Sequence, residues 1–138
     1  MHQIVVEYEG KLRTRAKHLQ SGNEILTDAP LDNHGKGEAF SPTDLTAAAL
    51  GSCMLTIMAI AAESRGLDLR GTCTEVNKIM GKNPRRIAGL QLNIYFKINF
   101  AYNERKILET AVYSCPVHQS LNTDMKKDII FHYPNHDR

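Results

Sequence analysis

Three cysteines, Cys53, Cys73 and Cys115, are the residues of this sequence best suited to chemistry. A thiolate is a nucleophile toward peroxides and disulfides, and its reactivity depends on the local pKa. Cys53 lies in the uncharged run AAALGSCMLTIMAIAA, where alanine would pack equally well. Two interpretations are open: a buried thiol that serves as a small hydrophobic side chain, or a thiol that reacts inside an apolar pocket.

Cys115 immediately precedes Pro116, and proline is favoured at the first position of a helix. Cys115 would then be the N-cap, near unpaired N–H groups and the positive end of the helix dipole, which lowers a thiol pKa. Alternatively, it only closes a turn. Cys73 lies in an alternating segment and is interpreted as structural. His118 completes no metal site, because no second pair of ligands with suitable spacing appears.

The composition is typical of one domain that spans residues 1–138. The net charge is +2 and the basic residues are scattered, so no nucleic-acid partner is expected. The first ten residues lack the apolar stretch of a signal peptide, and three cysteines do not indicate a disulfide framework. A cytoplasmic location with reduced thiols is therefore expected.

Residues 45–62 carry no charge and approach the minimum length of a membrane-spanning helix. Much of the run is alanine, and it also contains glycine, serine and threonine. We therefore expect a helix buried by protein rather than by a membrane.

The order of elements predicts an α+β fold, with an antiparallel sheet packed on one long central helix. Two strands are expected around Gly10 and a third at residues 24–28, followed by an irregular loop over 29–41. The helix should begin with Ser41 as N-cap and Asp44 as capping-box acid. Gly66 should end it in a left-handed conformation.

The second half predicts two long strands, TCTEVNKIM and RIAGLQLNIYFKINF, joined by a turn at GKNP. Alternate apolar residues of the second strand are expected to face the core, from Leu90 through Ile98 to Phe100. A short amphipathic helix over 103–114, a helical piece that starts at Pro116 and a final strand, KKDIIFHY, complete the chain.

The segments SPTDLTAAALGSCM and SCPVHQSL, whose cysteines are 62 residues apart, resemble the OsmC/Ohr family of thiol-dependent hydroperoxide reductases. The resemblance covers nearly the whole chain and is nearest to the OsmC-like branch. It implies an intertwined homodimer in which sheets from both subunits wrap two central helices. It also implies a thiol peroxidase that reduces organic hydroperoxides without a bound cofactor and is recycled by an external dithiol, of the lipoyl type or similar.

The same resemblance implies the roles of the site residues. Cys53 corresponds to the thiol that attacks the peroxide, and Cys115 to the thiol that resolves the sulfenic acid to a disulfide. Arg13 or Arg15 corresponds to the cation that lowers the thiolate pKa. Arg13 is favoured, and the alternate spacing places both arginines on one face of their strand.

One position departs from the family pattern. Peroxidases of the family carry a glutamate ten residues before the first cysteine, where this chain has Thr43. Asp44 is adjacent but is better explained as the capping-box acid. Glu38, in the preceding loop, could reach the arginine instead.

Two other functions are compatible with this scaffold: a non-catalytic binding protein for a small hydrophobic ligand, and a thiol redox sensor. The altered acid position favours the first of these. Turnover of peroxide separates the enzyme from both.

Overall fold

The structure is a computed structural model that describes residues 2–134. Within that range the strands are β1 (Ile4–Gly10), β2 (Arg13–His18), β3 (Glu24–Asp28), β4 (Cys73–Gly81), β5 (Arg86–Tyr95) and β6 (Lys126–His132). The helices are α1 (Pro42–Glu63), α2 (Tyr102–Val112) and α3 (Pro116–Ser120). The α+β class is confirmed. The chain divides after Thr46 into an N-terminal and a C-terminal unit.

The N-terminal unit contains an antiparallel sheet in the order β1-β2-β3. Arg13 lies opposite Asp28, and Arg15 lies opposite Leu26. Since side chains alternate along a strand, both arginines occupy one face of this sheet, as predicted. The apolar residues of the other face are exposed: Ile4, Val6, Tyr8 and Ile25.

The loop between β3 and α1 is irregular, with a single 3-10 turn at Leu31–Asn33. It ends in a reciprocal capping box. The Asp44 N–H donates to Ser41 Oγ, and the Ser41 N–H donates to the Asp44 carboxylate, both at 3.0 Å. The predicted start of α1 and the capping role of Asp44 are therefore confirmed.

The end of α1 also follows its sequence signals. Gly66 has a φ of +69°, a conformation that favours glycine, and the N–H of Leu67 donates back to the Ala62 carbonyl at 2.9 Å. One face of the helix is buried, in the order Ala47, Leu50, Gly51, Met54, Met58 and Ala62. This spacing is that of a helical stripe turned toward a core.

The C-terminal unit contains a second sheet in the order β4-β5-β6. β4 and β5 are antiparallel, but β5 and β6 are parallel, so the expected purely antiparallel sheet is wrong for this pair. The physical reason is the connection: α2 and α3 carry the chain back along the sheet before β6 starts, and parallel strands need such a crossover.

The strand predicted over residues 86–100 ends earlier than expected, at Tyr95. Leu90, Leu92, Ile94, Phe96 and Phe100 are buried as predicted, but Ile98 is 51% exposed. The prediction that Ile98 faces the core is wrong, because the two-residue period holds only while the backbone stays extended.

α1 approaches the second sheet closely at Gly51. A Cβ atom placed on this glycine would lie 2.8 Å from Thr74 Cγ2 and 3.2 Å from Val76 Cγ2. No side chain fits at this position unless helix and strand move apart. Gly51 therefore sets the distance between β4 and the turn of α1 that carries Cys53.

α2 is held against the end of the second sheet by a polar contact. The Tyr133 hydroxyl donates to the Glu109 carboxylate at 2.6 Å, and the Arg105 guanidinium lies 4.1 Å from the centre of the same ring. Leu108 and Val112 on the inner side of α2 are fully buried. These contacts fix the helix that leads to Cys115.

Among the described residues, α1 is long and apolar enough to cross a membrane by length and composition. One third of its most apolar stretch is buried in this chain. Core helices of globular proteins pass the same test, and α1 contributes six residues to the buried stripe.

Candidate active site

The C-terminal unit brings two of the three cysteines into contact. Cys53 lies on α1 and is partly exposed, whereas Cys115 precedes α3 and is fully buried. Both are free thiols, and their side chains are within hydrogen-bonding distance of each other. Such a pair needs little rearrangement to become a disulfide, in which the two sulfur atoms are about 2 Å apart.

Cys115 is the N-cap residue of α3, as predicted, but its sulfur makes no capping hydrogen bond of good geometry. Burial raises the pKa of the Cys115 thiol, and the contact with Cys53 raises it further. The nearby N–H groups of His118 and Val117 act in the opposite direction without reversing the shift.

The expected lowering of the Cys115 pKa is therefore wrong. α3 has only five residues and offers a weak dipole, while complete burial penalises the thiolate strongly. Cys115 is a protonated thiol at neutral pH, and Cys53 is the member of the pair that a solute reaches first.

The N-terminal unit contains a separate charged cluster around Arg13. Its Nε donates to Asp28 Oδ1 at 2.7 Å, and its Nη2 donates to Asp28 Oδ2 at 2.8 Å. Nη2 also lies 3.4 Å from Glu38 Oε1. The backbone N–H of Glu38 donates to Asp28 at 3.1 Å. Two groups that are distant in sequence, the Arg13 guanidinium and the Glu38 N–H, thus meet at the Asp28 carboxylate.

Asp28 is only 2% exposed. The hydrogen bonds and charge of Arg13 hold the pKa of Asp28 below its ordinary value, although burial opposes this. The hydrogen bond to Asp28 likewise raises the pKa of Arg13. Sequence reasoning missed Asp28. The signal that could have found it is the register of the predicted strands, which places it directly opposite Arg13.

Arg15 has a different environment. It donates to Glu9 at 2.7 Å and to Glu24 at 3.1 Å, and all three side chains are substantially exposed. The structure therefore brings together Arg13 and Glu38, as the sequence permitted, and pairs Arg15 with other acids. Thr43 places its hydroxyl 3.1 Å from Ser41 Oγ, within the first turn of α1.

The side chains of Cys73 and His118 have other environments. Cys73 is exposed at the start of β4. His118 packs edge-on against Tyr113, and its buried Nδ1 has no hydrogen-bond partner in the part of the chain that the structure describes. Within residues 2–134 no group of three or more potential metal-ligating side chains occurs.

Two cavities lie elsewhere in the C-terminal unit. One, of about 360 Å³, opens beside the last turns of α1 and the segment that follows it. The other, of about 560 Å³, runs along β5 and β6 next to Tyr113. Neither is lined by Cys53 or Cys115, so the thiol pair lies outside both.

An α+β fold with a partly exposed thiol beside a fully buried one places the protein among those suited to cysteine redox chemistry. The chain belongs to the OsmC family: the family model described as OsmC-like protein matches residues 35–129. A comparison with curated proteins gives no significant match. Membership of this family supports a role in redox chemistry and peroxide stress.

Solved structures agree with this assignment. A proposed osmotic stress induced and detoxification response protein from Psychrobacter arcticus is 48% identical, with a TM-score of 0.93 and 96% of both chains covered. An organic hydroperoxide resistance protein OsmC from Legionella pneumophila is 15% identical, with a TM-score of 0.74, over 96% of this chain and 98% of its own. Another such protein, from Elizabethkingia anophelis, is 16% identical, with a TM-score of 0.71, over 96% and 97%. The last two show the shared fold.

Proposed function

We propose that this protein is a two-cysteine thiol peroxidase that reduces organic hydroperoxides to alcohols. The observation that carries the proposal is the contact between Cys53 and Cys115, one thiol accessible and the other buried. Family membership and the names of the Legionella and Elizabethkingia proteins supply the substrate class.

In the first step the Cys53 thiolate attacks the distal oxygen of the hydroperoxide. The S–O bond forms as the O–O bond breaks, and the leaving alkoxide takes a proton to become the alcohol. Cys53 is left as a sulfenic acid, oxidised by two electrons.

In the second step Cys115 loses its proton and attacks the Cys53 sulfur, and water leaves. The product is a Cys53–Cys115 disulfide. The raised pKa of Cys115 suits this order, since a protonated thiol does not compete for the peroxide.

An external dithiol then restores the enzyme. One of its thiolates attacks the disulfide, and its second thiol displaces the first to leave a cyclic disulfide and two protein thiols. A lipoyl-type dithiol is the proposed reductant. None of these three steps requires a bound metal or organic cofactor.

Arg13 is proposed as the cation that stabilises the Cys53 thiolate and orients the peroxide. Glu38 is part of its charged cluster. Arg15, which is occupied by Glu9 and Glu24, is assigned no role in the reaction.

A homodimer is part of the proposal, because apolar surface in both units lacks a cover. Val6 and Tyr8 on the first sheet are 61% and 63% exposed. Outside its buried stripe, most residues in the apolar stretch of α1 are only partly buried by their own chain, and Ile60 is 59% exposed. Burial of such surface drives stable association. Light scattering at micromolar concentration should give twice the chain mass, and a monomer would contradict the proposal.

The test of function is mass analysis of the reduced protein after brief exposure to one equivalent of tert-butyl hydroperoxide. Rapid loss of two hydrogens that maps to Cys53–Cys115 supports the proposal, and Cys73→Ser should behave identically. If both thiols stay reduced under conditions that oxidise free cysteine, the protein is not a peroxidase. A cytoplasmic location, where the thiols are kept reduced, belongs to the same proposal.

A further inference from the structure

We infer that Asp28 is a positioning residue, which fixes the guanidinium of Arg13 and leaves one edge of it free for an anion. The inference rests on the proposed function, in which that anion is the Cys53 thiolate or an oxygen of the peroxide. It adds a group from β3 that the cysteine motifs do not indicate.

The geometry of the pair leaves a defined set of donors. Asp28 occupies Nε and Nη2 of Arg13 through two nearly equal contacts of 2.7 and 2.8 Å. A guanidinium is planar, so a bidentate contact on one edge sets the direction of the rest. Nη1 has no partner among residues 2–134, and the side chain is 33% exposed. Its two N–H groups therefore form an open anion-binding edge.

The anchor itself is rigid. Asp28 is buried, accepts the Glu38 N–H, and its own backbone N–H donates to the Phe40 carbonyl at 3.0 Å. Removal of Arg13 would leave a buried carboxylate without its counter-ion, which is strongly unfavourable. The ion pair is therefore a fixed feature, unlike exposed pairs between long side chains.

Glu38 makes a weaker side-chain contact than the sequence led us to expect. Its carboxylate is 63% exposed and lies 3.4 Å from Arg13, whereas its backbone N–H bonds directly to Asp28. Glu38 thus acts mainly through its main chain, and the buried acid that holds the arginine is Asp28. Asp28 thus holds the arginine in a chain that has Thr43, in the first turn of α1, where peroxidases of the family carry a glutamate.

An oriented guanidinium is worth more to a reaction than a mobile one. Donors fixed toward developing negative charge need no rearrangement during the reaction, and loss of such fixation costs transition-state stabilisation. The negative charge of Asp28 also offsets part of the positive charge of Arg13, which weakens the attraction between the guanidinium and the anion. The two effects therefore predict opposite results when Asp28 loses its charge. Loss of positioning would destabilise the Cys53 thiolate, and loss of neutralisation would stabilise it.

The experiment compares Asp28→Asn with Arg13→Gln and with Arg15→Gln, the matched control from the same strand face. Two readouts are used: kcat/KM for tert-butyl hydroperoxide, and the pH profile of Cys53 alkylation in a Cys73→Ser, Cys115→Ser background. Positioning predicts about a tenfold to hundredfold fall in kcat/KM for Asp28→Asn. It also predicts an alkylation profile displaced to higher pH, as in Arg13→Gln but by less.

Several outcomes overturn the inference. If the pH profile of Cys53 alkylation in Asp28→Asn matches that in Arg15→Gln, Asp28 has a purely structural role. If the profile is displaced to lower pH, Asp28 acts by neutralising the charge of Arg13. If Asp28→Asn does not fold, Asp28→Glu decides the matter: a kcat/KM between those of Arg13→Gln and Arg15→Gln supports positioning, and one equal to Arg15→Gln contradicts it. A wild-type protein without turnover refutes the proposed function, while the alkylation profiles still test Asp28.

Discussion

The thiol of Cys53 contacts the thiol of Cys115 across 62 residues of sequence, and only the first is accessible to solvent. The contact joins the middle of α1 to the turn that begins α3. In the proposed reaction this asymmetry gives the two thiols different roles, because a peroxide would meet the accessible Cys53 before the buried Cys115.

The first prediction concerns the division of roles. Cys53→Ser should abolish peroxide reduction, because no other thiol of the pair is accessible. Cys115→Ser should complete one slow turnover and then accumulate sulfinic and sulfonic acid at Cys53, because the sulfenic acid has no resolving partner. Intact mass and peptide mapping measure both, with Cys73→Ser as control. Full activity in Cys53→Ser would make the assignment wrong.

The second prediction follows from the raised pKa of Cys115. Below its pKa the group is a thiol and does not alkylate, so iodoacetamide should label it slowly at pH 8 and faster as pH rises past the ordinary cysteine value of about 8.5. Exposed Cys73 serves as internal control in the same peptide map. Labelling of Cys115 at the rate of Cys73 near pH 7 would contradict this.

The third prediction uses the close approach at Gly51. In a free helix Gly→Ala is stabilising by about 1 kcal/mol, but here the new methyl group would overlap Thr74. Gly51→Ala should lower the free energy of unfolding by about 1–3 kcal/mol, the usual cost of overpacking. Denaturant titration measures the change. Ser52→Ala, on the exposed side of the same turn, is the control and should stay near the wild type.

The fourth prediction concerns acid stability. The pKa of Asp28 is lowered in the folded state, so its ion pair stabilises the fold above the unfolded-state value of about 3.9. That stabilisation disappears as pH falls through the lowered folded-state pKa. Asp28→Asn should be less stable than the wild type at pH 7, and the difference should shrink below about pH 4. Thermal unfolding between pH 2 and 7 measures it, and a constant difference would contradict it.

Local signals explain why parts of the fold were predictable. Ser41, Asp44 and Gly66 act within one helical turn of themselves, so the ends of α1 follow directly from sequence. The strands around Gly10 are equally local. The two cysteines were paired through the family resemblance of the segments around them. Helix and strand propensities alone would not have linked the two segments.

The features that were missed depend on distant parts of the chain. The parallel direction of β6 depends on the helices that precede it, and the end of β5 on the loop that follows. The pKa of Cys115 depends on burial by side chains from other elements, which outweighed its position before α3. The contact of Asp28 with Arg13 depends on the register between β2 and β3, which the residues of either strand alone do not reveal.

The open face of the first sheet has a consequence for the newly made chain. β1 is an edge strand whose alternate residues Ile4, Val6 and Tyr8 are apolar and exposed. Such an edge is a template for unintended strand pairing and aggregation. The charged residues Glu7 and Glu9 interrupt the same strand, and their charge disfavours aggregation. Loss of either glutamate should therefore appear first as poor recovery of the newly made chain, even where the folded protein keeps its stability.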